Sequence, residues 1–161
     1  MKATGIVRRI DELGRIVVPK EIRRTMRIRE GDPLEIFTEK DGIVLKKYSA
    51  ISRLTAAAQD FLDAFYAVFG VSAYICDNET VVAACGAMKQ LKDSAVDEQI
   101  LRLLHGRRAS DIPCAEGAEQ HLVPIISSSD IVGGIVIGGK LTENAKKAAE
   151  LGARLLAVQI E

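Results

Sequence analysis

Apolar and polar side chains alternate over short stretches of the first fifty residues, with the period of half-buried strands. Strands are predicted at residues 5–10, 15–18, 34–38 and 43–48, with turns at 11–14 and 41–42. Pro19 ends the second strand because it has no N–H to donate, and residues 20–26 follow as a short helix. This half is therefore predicted to be a ββαββ unit.

A helical period begins after residue 50. Apolar side chains recur at steps of three and four at Ile51, Leu54, Ala58, Phe61, Phe65 and Val68. The repeat is too short for a sustained coiled coil, so it predicts a bundle helix packed against its own domain or a partner copy. Gly70 is expected to end this helix.

The remainder of the chain combines strand and helix patterns. Strands are predicted at residues 71–76, 80–84, 121–126 and 131–137, a helix at 93–104, and an irregular loop at 106–117. Thr142 is positioned to cap a final helix. These elements predict an antiparallel sheet flanked by helices, so the fold class is α+β. We expect domains at residues 1–50 and 71–161, joined by a linker or dimerisation helix at 51–70.

Charge divides the chain at the same place. Residues 1–50 carry 12 basic and 8 acidic side chains, whereas residues 51–161 carry 10 basic and 14 acidic ones. The first 29 residues hold nine basic against three acidic side chains, although the whole chain is neutral. A basic end on a neutral protein predicts a polyanionic partner, with a merely solvated basic face as the alternative.

The basic half is small for an independent domain. About fifty residues is close to the size at which a domain struggles to bury enough apolar surface. No cysteine precedes Cys76, so disulfides cannot supply the missing stability here. A second copy of the same half is the simplest source of further core, and we expect a homodimer through residues 1–50.

The composition gives little support to an enzyme or a membrane protein. The residues after Lys2 are mixed and polar, unlike a secretory signal, and the apolar run at 131–139 is too short to span a bilayer. Three irregularly spaced cysteines indicate free thiols. The spacing of His105 and His121 from Cys114 matches no nucleophile or metal template. We expect a cytoplasmic protein without catalysis, metal or cofactor.

Two stretches of the first half, TGIVRRIDELGRIVVPKEIRRTMRI and LEIFTEKDGIVLKKY, resemble the AbrB family of bacterial transition-state regulators. The residues at the family's spacing are Gly14, Arg15, Pro19, Glu21 and Arg23. The resemblance implies a swapped-hairpin β-barrel shared by two chains, DNA binding, and control of sporulation or transition-state genes. In the second half, AYICDNETVVAACG and VPIISSSDIVGGIVI resemble the strands of a GAF-like sensor domain.

The AbrB resemblance assigns DNA contacts to Arg8, Arg15, Arg23 and Arg24. Beyond that pattern, we expect Lys2, Arg9 and Lys20 to bind DNA as phosphate neighbours. Guanidinium groups suit this role because they stay charged and offer a planar fork of donors to phosphate or to guanine. No aromatic residue interrupts the basic run, which favours duplex DNA over a stacked single strand.

Two roles are open for the GAF-like half. It could bind a small molecule beside its sheet, with a polar lining from Asp77, Cys85, Cys114 and His121. It could instead serve only to assemble oligomers, as a dimer of dimers held by its helices. The signature of cyclic-nucleotide GAF domains is not recognisable, which argues against that class of ligand.

Two other functions compete with that of a DNA-binding regulator. MazE-type antitoxins use the same swapped barrel, but a toxin-binding tail should be short and disordered, whereas residues 51–161 are apolar and periodic. A ligand-binding or enzymatic GAF-like protein, with DNA binding secondary, would show turnover or stabilisation by a metabolite.

Overall fold

The chain folds as two compact units, Met1–Tyr48 and Ser49–Glu161. The computed structural model describes residues 4–114 and 118–160. Among these residues, no helix is long and apolar enough to cross a membrane.

The first unit contains a short helix and a hairpin. Helix α1 spans Lys20–Thr25, and strands β1 (Leu34–Glu39) and β2 (Gly42–Lys47) pair antiparallel. The two-residue turn of the hairpin lies between Glu39 and Gly42, which pair with each other. The Pro-initiated helix and the alternating hairpin are thus confirmed, with the turn one residue earlier than predicted.

The two strands predicted at residues 5–10 and 15–18 have no ladder in the single chain. The turn between them does form, since the Gly14 N–H donates to the Asp11 carbonyl at 3.0 Å. A strand requires a neighbour that takes its backbone hydrogen bonds. In the described part of one copy no strand pairs with these segments, so the prediction is wrong for the isolated chain.

The second unit is a five-stranded sheet with helices on both faces. Its helices are α2 (Thr55–Phe69), α3 (Glu98–Leu104) and α4 (Glu143–Ile160), with 3-10 helices at Ile51–Leu54 and Gly86–Leu91. Its strands are β3 (Ser72–Cys76), β4 (Val81–Cys85), β5 (Ser110–Ile112), β6 (Glu119–Ser127) and β7 (Asp130–Gly139). The strand order β4-β3-β7-β6-β5, with every pair antiparallel, confirms the predicted α+β class.

Each face of this sheet has its own core. Ile75 and Ile137 are buried with residues of α2 and α4, whereas their neighbours Tyr74 and Val136 are buried with residues of α3. Successive residues of a strand point to opposite faces, so strands that are covered on both faces are apolar throughout. The helix predicted after residue 50 therefore packs against its own domain.

Specific local interactions determine where three of the helices begin or end. Gly70 adopts a left-handed conformation (φ 63°) and ends α2, as predicted. The Thr142 hydroxyl accepts the Ala145 N–H at 3.2 Å, which confirms it as the cap of α4. The Asp97 carboxylate accepts the Gln99 N–H at 2.7 Å and begins α3.

Two predictions between residues 93 and 117 need correction. The helix predicted from residue 93 begins only at Glu98, because Asp93 and Ser94 bond instead to Val81 at 2.8 and 3.0 Å. The predicted loop contains β5, a three-residue strand held on the sheet by its pairing with β6. Both differences arise from backbone pairing with residues that are distant in sequence.

Candidate nucleic-acid interface

Three of the predicted DNA-contacting arginines flank the turn after residue 10. Arg8 and Arg9 precede the turn and Arg15 follows it, and all three are exposed. The Arg8 guanidinium donates to the carbonyl of the preceding residue at 3.3 Å, which is a local and weak constraint. Lys2, predicted as a phosphate neighbour, lies outside the described residues.

The turn itself is built around Asp11. Its Oδ1 accepts the N–H groups of Leu13 and Arg15 at 3.0 and 2.8 Å, and its Oδ2 accepts Arg15 Nε at 2.8 Å. The Asp11 N–H in turn donates to the Arg15 carbonyl at 3.0 Å. The backbone N–H of Arg15 and then its side chain lower the pKa of Asp11. The carboxylate therefore stays charged and holds the arginine that follows the turn.

Helix α1 presents the other predicted contacts. Pro19 stands at the N-cap, and its carbonyl accepts the Arg23 N–H at 2.9 Å. Lys20 begins the helix and Arg23 and Arg24 lie in its last turn, where cations also complement the carbonyl end of the helix. All three basic side chains are exposed. The helix therefore directs positive charge into solvent rather than toward a core.

Most of these basic side chains make no hydrogen bond or ion pair among the described residues. In the described part of the chain, no hydrogen bond or ion pair involves the side chains of Arg9, Lys20, Arg23 and Arg24. A guanidinium with all its donors free can bind phosphate or a base edge without breaking an existing contact.

The basic residues after α1 are organised differently. Asp32 Oδ2 accepts the Arg29 N–H at 2.8 Å and lies 3.4 Å from Lys47 Nζ. Lys47 Nζ also donates to the Arg27 carbonyl at 3.0 Å. The backbone N–H of Arg29 is the main cause of the lowered pKa of Asp32. This network joins the loop after α1 to β2, which is a structural role for Lys47.

Large apolar side chains share the exposed surface of the first unit. Val7, Leu13 and Val17 are 84%, 75% and 73% exposed, and Ile36 and Ile43 on the hairpin are 66% and 68% exposed. Among the described residues of this unit only Pro19 is buried. The first unit therefore has almost no core within one copy.

The four residues predicted to line a ligand pocket lie in the second unit. His121 on β6 and Cys85 on β4 share a row of paired residues across the sheet, but β7 and β3 separate them by roughly 14 Å. Asp77 lies beyond β3 and accepts the Ser49 hydroxyl and two backbone N–H groups at 2.7 Å. Cys114 is exposed. The structure therefore does not bring Cys85 and His121 together.

The structure instead groups His121 with two residues that sequence reasoning missed. His121 is buried, and its Nδ1 lies 2.7 Å from Asp111 Oδ1, which also accepts Lys146 Nζ at 3.0 Å. Asp111 and Lys146 line a cavity of about 350 Å³ beside the start of α4, together with Glu119, Gln120, Leu141 and Glu143. Among the described residues, no group of three His, Cys, Asp or Glu side chains is arranged to hold a metal.

Comparison with known proteins finds a similarity for each unit. A model described as antidote-toxin recognition MazE, bacterial antitoxin, matches residues 7–52. A model described as stage V sporulation protein T C-terminal, transcription factor, matches residues 53–161. Stage V sporulation protein T of Bacillus subtilis is 43% identical over 177 residues, which cover 100% of this chain and 99% of that protein.

Two further similarities concern single units. The transition state regulatory protein AbrB of Bacillus subtilis is 60% identical over 48 residues, 30% of this chain and 50% of that protein. The GAF domain of a phosphoenolpyruvate-protein phosphotransferase from Coxiella burnetii shares the fold of the second unit at a TM-score of 0.54 and 17% identity, covering 66% and 82% of the two chains. The chain therefore belongs to the stage V sporulation protein T family of transcription factors, with an AbrB-type first domain and a GAF-like second domain.

Proposed function

We propose that the chain is a cytoplasmic regulator of sporulation or transition-state genes that binds duplex DNA through the exposed arginines of its first unit. The single observation that carries this function is the set of exposed guanidinium groups of Arg9, Arg23 and Arg24, which make no hydrogen bond or ion pair among the described residues. Similarity to a sporulation protein and to a transition state regulator supports the class of target genes.

Duplex DNA fits this surface better than single-stranded nucleic acid. The first aromatic residue of the chain is Phe37, so the turn and α1 offer no ring on which an unpaired base could stack. Helix α1 has six residues, too few for a long recognition helix in the major groove. Readout then depends on arginines at a turn and a short helix, and on the shape of the duplex.

The DNA-binding species is a homodimer through residues 1–50. The exposed apolar side chains of the first unit would leave a single copy without a core, and a second copy covers them. The same copy supplies neighbours for the unpaired segments at 5–10 and 15–18. Because dimerisation doubles the arginine set symmetrically, it also doubles the contacts with a duplex.

The second unit serves assembly, as a dimer of dimers. Leu151, Leu155 and Val158 are 59%, 52% and 70% exposed at helical spacing along α4, opposite its buried alanines. An exposed apolar stripe of this kind is typical of a helix that packs against another helix. Small-molecule sensing is the second role for this unit, and the cavity beside α4 is the observation that favours it.

The alternative functions fit less well. A MazE-type antitoxin would end in a disordered tail, whereas the described residues beyond 48 form a unit packed around a five-stranded sheet. The model that matches this second unit is described as that of a transcription factor. We therefore propose a protein without catalytic activity.

Removal of Arg23 and Arg24 tests the proposed function. We expect Arg23→Ala with Arg24→Ala to weaken duplex binding in gel shifts by at least about tenfold, because phosphate or base contacts are lost from each copy. Wild-type binding should also fall steeply as salt rises, with a shallower slope in the variant.

Arg102→Ala with Arg108→Ala is the matched control. It removes the same charge from exposed positions of the second unit, and we expect nearly wild-type binding. Unchanged binding of the Arg23 and Arg24 variant at matched salt would refute the proposed function, as would equal losses in both double variants.

A further inference from the structure

An acidic side chain, Asp11, lies in the turn between the basic residues Arg9 and Arg15. Asp11 makes five hydrogen bonds in its turn. Its carboxylate accepts the N–H groups of Leu13 and Arg15 and the Arg15 Nε–H, its own N–H donates to the Arg15 carbonyl, and its carbonyl accepts the Gly14 N–H. Of the five arginines proposed to contact DNA, all of them among the described residues, only Arg15 is paired with a carboxylate.

The contact with Nε has a geometric consequence. A guanidinium has one Nε–H and four N–H bonds on its two terminal nitrogens, all in one plane. Asp11 Oδ2 occupies the Nε–H at 2.8 Å, so the plane is held while the two terminal nitrogens stay free. Those two nitrogens can still form the paired donor fork that matches guanine O6 and N7 or two phosphate oxygens.

Stability alone is a poor explanation of this ion pair. The two side chains are 72% and 43% exposed, and an ion pair this open to solvent contributes little to folding. Orientation is a different benefit, because a side chain that is already ordered loses less freedom when it binds.

We propose that Asp11 is the positioning residue that orients the Arg15 guanidinium for sequence-selective contact with duplex DNA. The inference rests on the proposed function, in which Arg15 contacts DNA. Asp11 itself does not touch the duplex, and its effect on binding passes entirely through Arg15.

Whether loss of the Asp11 carboxylate weakens or strengthens DNA binding separates this role from simple electrostatics. Asp11 adds a negative charge to a surface that binds a polyanion, so its neutralisation should strengthen binding if only charge mattered. Loss of a positioning residue should instead weaken binding to a preferred sequence and leave non-selective binding equal or slightly stronger.

Asp11→Asn separates positioning from turn formation. The asparagine keeps Oδ1 as an acceptor for the N–H groups of Leu13 and Arg15, but it replaces Oδ2 with an NH₂ group that cannot accept from Arg15 Nε. We expect the melting temperature and oligomeric mass of the full chain to stay at wild-type values.

The test is a double-mutant cycle on the full chain with Asp11→Asn, Arg15→Ala and both together. The probes are a duplex that the wild-type chain enriches from a random library, and poly(dI-dC) as the non-selective competitor. We expect Asp11→Asn to weaken binding to the enriched duplex by about five- to tenfold, part of what a bidentate contact contributes. In the Arg15→Ala background the same substitution should weaken nothing further.

The outcomes distinguish this inference from the proposed function. If Arg15→Ala binds the enriched duplex like the wild type, the assignment of Arg15 to DNA fails, and the positioning role fails with it. If Arg15→Ala weakens binding while Asp11→Asn strengthens it, leaves it unchanged or adds to it independently, only the positioning role is overturned.

Arg15→Lys provides a second route should Asp11→Asn disturb the fold. Lysine keeps the charge but has neither Nε nor the planar fork, so we expect a comparable loss on the enriched duplex with little change on poly(dI-dC). Retained selectivity in Arg15→Lys would show that no oriented guanidinium is read at this position and would overturn the inference.

Discussion

The Asp111 carboxylate shows how an exposed residue can provide the hydrogen-bond acceptor that a buried residue requires. His121 is buried against the α4 face of the sheet, and a buried imidazole N–H requires an acceptor. Asp111 on the edge strand β5 supplies that acceptor while its own side chain is 73% exposed. A carboxylate can only accept, so Nδ1 of His121 carries the proton of this bond.

The same contacts make Asp111 responsive to pH. The hydrogen bond from His121, followed by the one from Lys146, lowers the pKa of Asp111 below its usual 3.8. A lowered pKa in the folded state stabilises the fold above pH 3.8, and the contribution disappears as pH falls through the lowered value. The exposure of Asp111 keeps the effect small, because solvent screens the charges.

We therefore predict a pH-dependent difference between the wild type and Asp111→Asn. The wild type should melt about 1–3 °C higher at pH 6, and the gap should close as pH falls below 3.8. Thermal melts followed by circular dichroism between pH 3 and 6 measure it. Asp60→Asn, on the exposed side of α2, controls for the chemical change. A gap that stays constant over this range would contradict the electrostatic explanation.

At the scale of elements, the contact between α2 and α4 depends on a glycine, which has no side chain. Gly152 is buried in α4 opposite the Phe61 ring, and a Cβ at this glycine would lie 2.1–2.6 Å from three ring carbons. Phe61 also stacks against Phe65 at 5.9 Å between centroids, which limits how far its ring can move aside. The glycine thus allows the two helices to approach closely.

We expect Gly152→Ala to destabilise the second unit. Overpacking costs about 1–3 kcal/mol, against about 1 kcal/mol that alanine contributes as a better helix former. The net result should be a loss of about 1 kcal/mol in urea titrations, and Phe61→Leu in the same chain should restore most of it. Lys147→Ala, at an exposed position of α4, controls for helix propensity. A Gly152→Ala chain as stable as the wild type would refute the close-approach argument.

The elements also show which patterns carry structural information. Helices α2 and α4 and the pair β6 and β7 were predicted because their periods extend over many residues. Ser128 and Ser129 close that pair at φ 47° and 72°, between the strands predicted at residues 121–126 and 131–137. Strand β5, with three residues of which only Ile112 is buried, has too short a pattern to recognise.

At the scale of the molecule, assembly determines what the basic surface can do. A dimer presents two copies of the turn and of α1, and a dimer of dimers presents four. Linking DNA-binding modules in this way raises the apparent affinity for neighbouring sites without any new contact. The exposed stripe on α4 is the surface on which the proposed tetramer depends.

We predict that Leu151→Glu with Leu155→Glu converts a tetramer into a dimer. Buried glutamates would leave charges without partners at the helix contact, while the first unit would still dimerise. Analytical ultracentrifugation should show the mass of the full chain halved. Ala87→Glu with Gln90→Glu adds the same charge on an exposed 3-10 helix and should leave the mass unchanged. A wild-type dimer, or a double variant that stays tetrameric, would remove α4 from the assembly.

Local sequence determined much of this protein. The Pro-initiated α1, the β1–β2 hairpin, the glycine that ends α2 and the threonine that caps α4 all follow from residues close together in the chain. The segregation of positive charge into the first 29 residues is likewise a property of sequence alone. That segregation predicted a polyanionic partner, and the resemblance to the AbrB family indicated which arginines contact DNA.

Only the tertiary structure determined the features that depend on contacts between residues far apart in the chain. Pairing with Val81 delays the start of α3, and pairing with β6 turns part of a predicted loop into β5. Two intervening strands separate His121 from Cys85, and the Asp111 carboxylate on β5 bonds to Lys146 on α4. Such contacts are set by backbone hydrogen bonds and side-chain geometry in three dimensions, which no periodicity along the chain records.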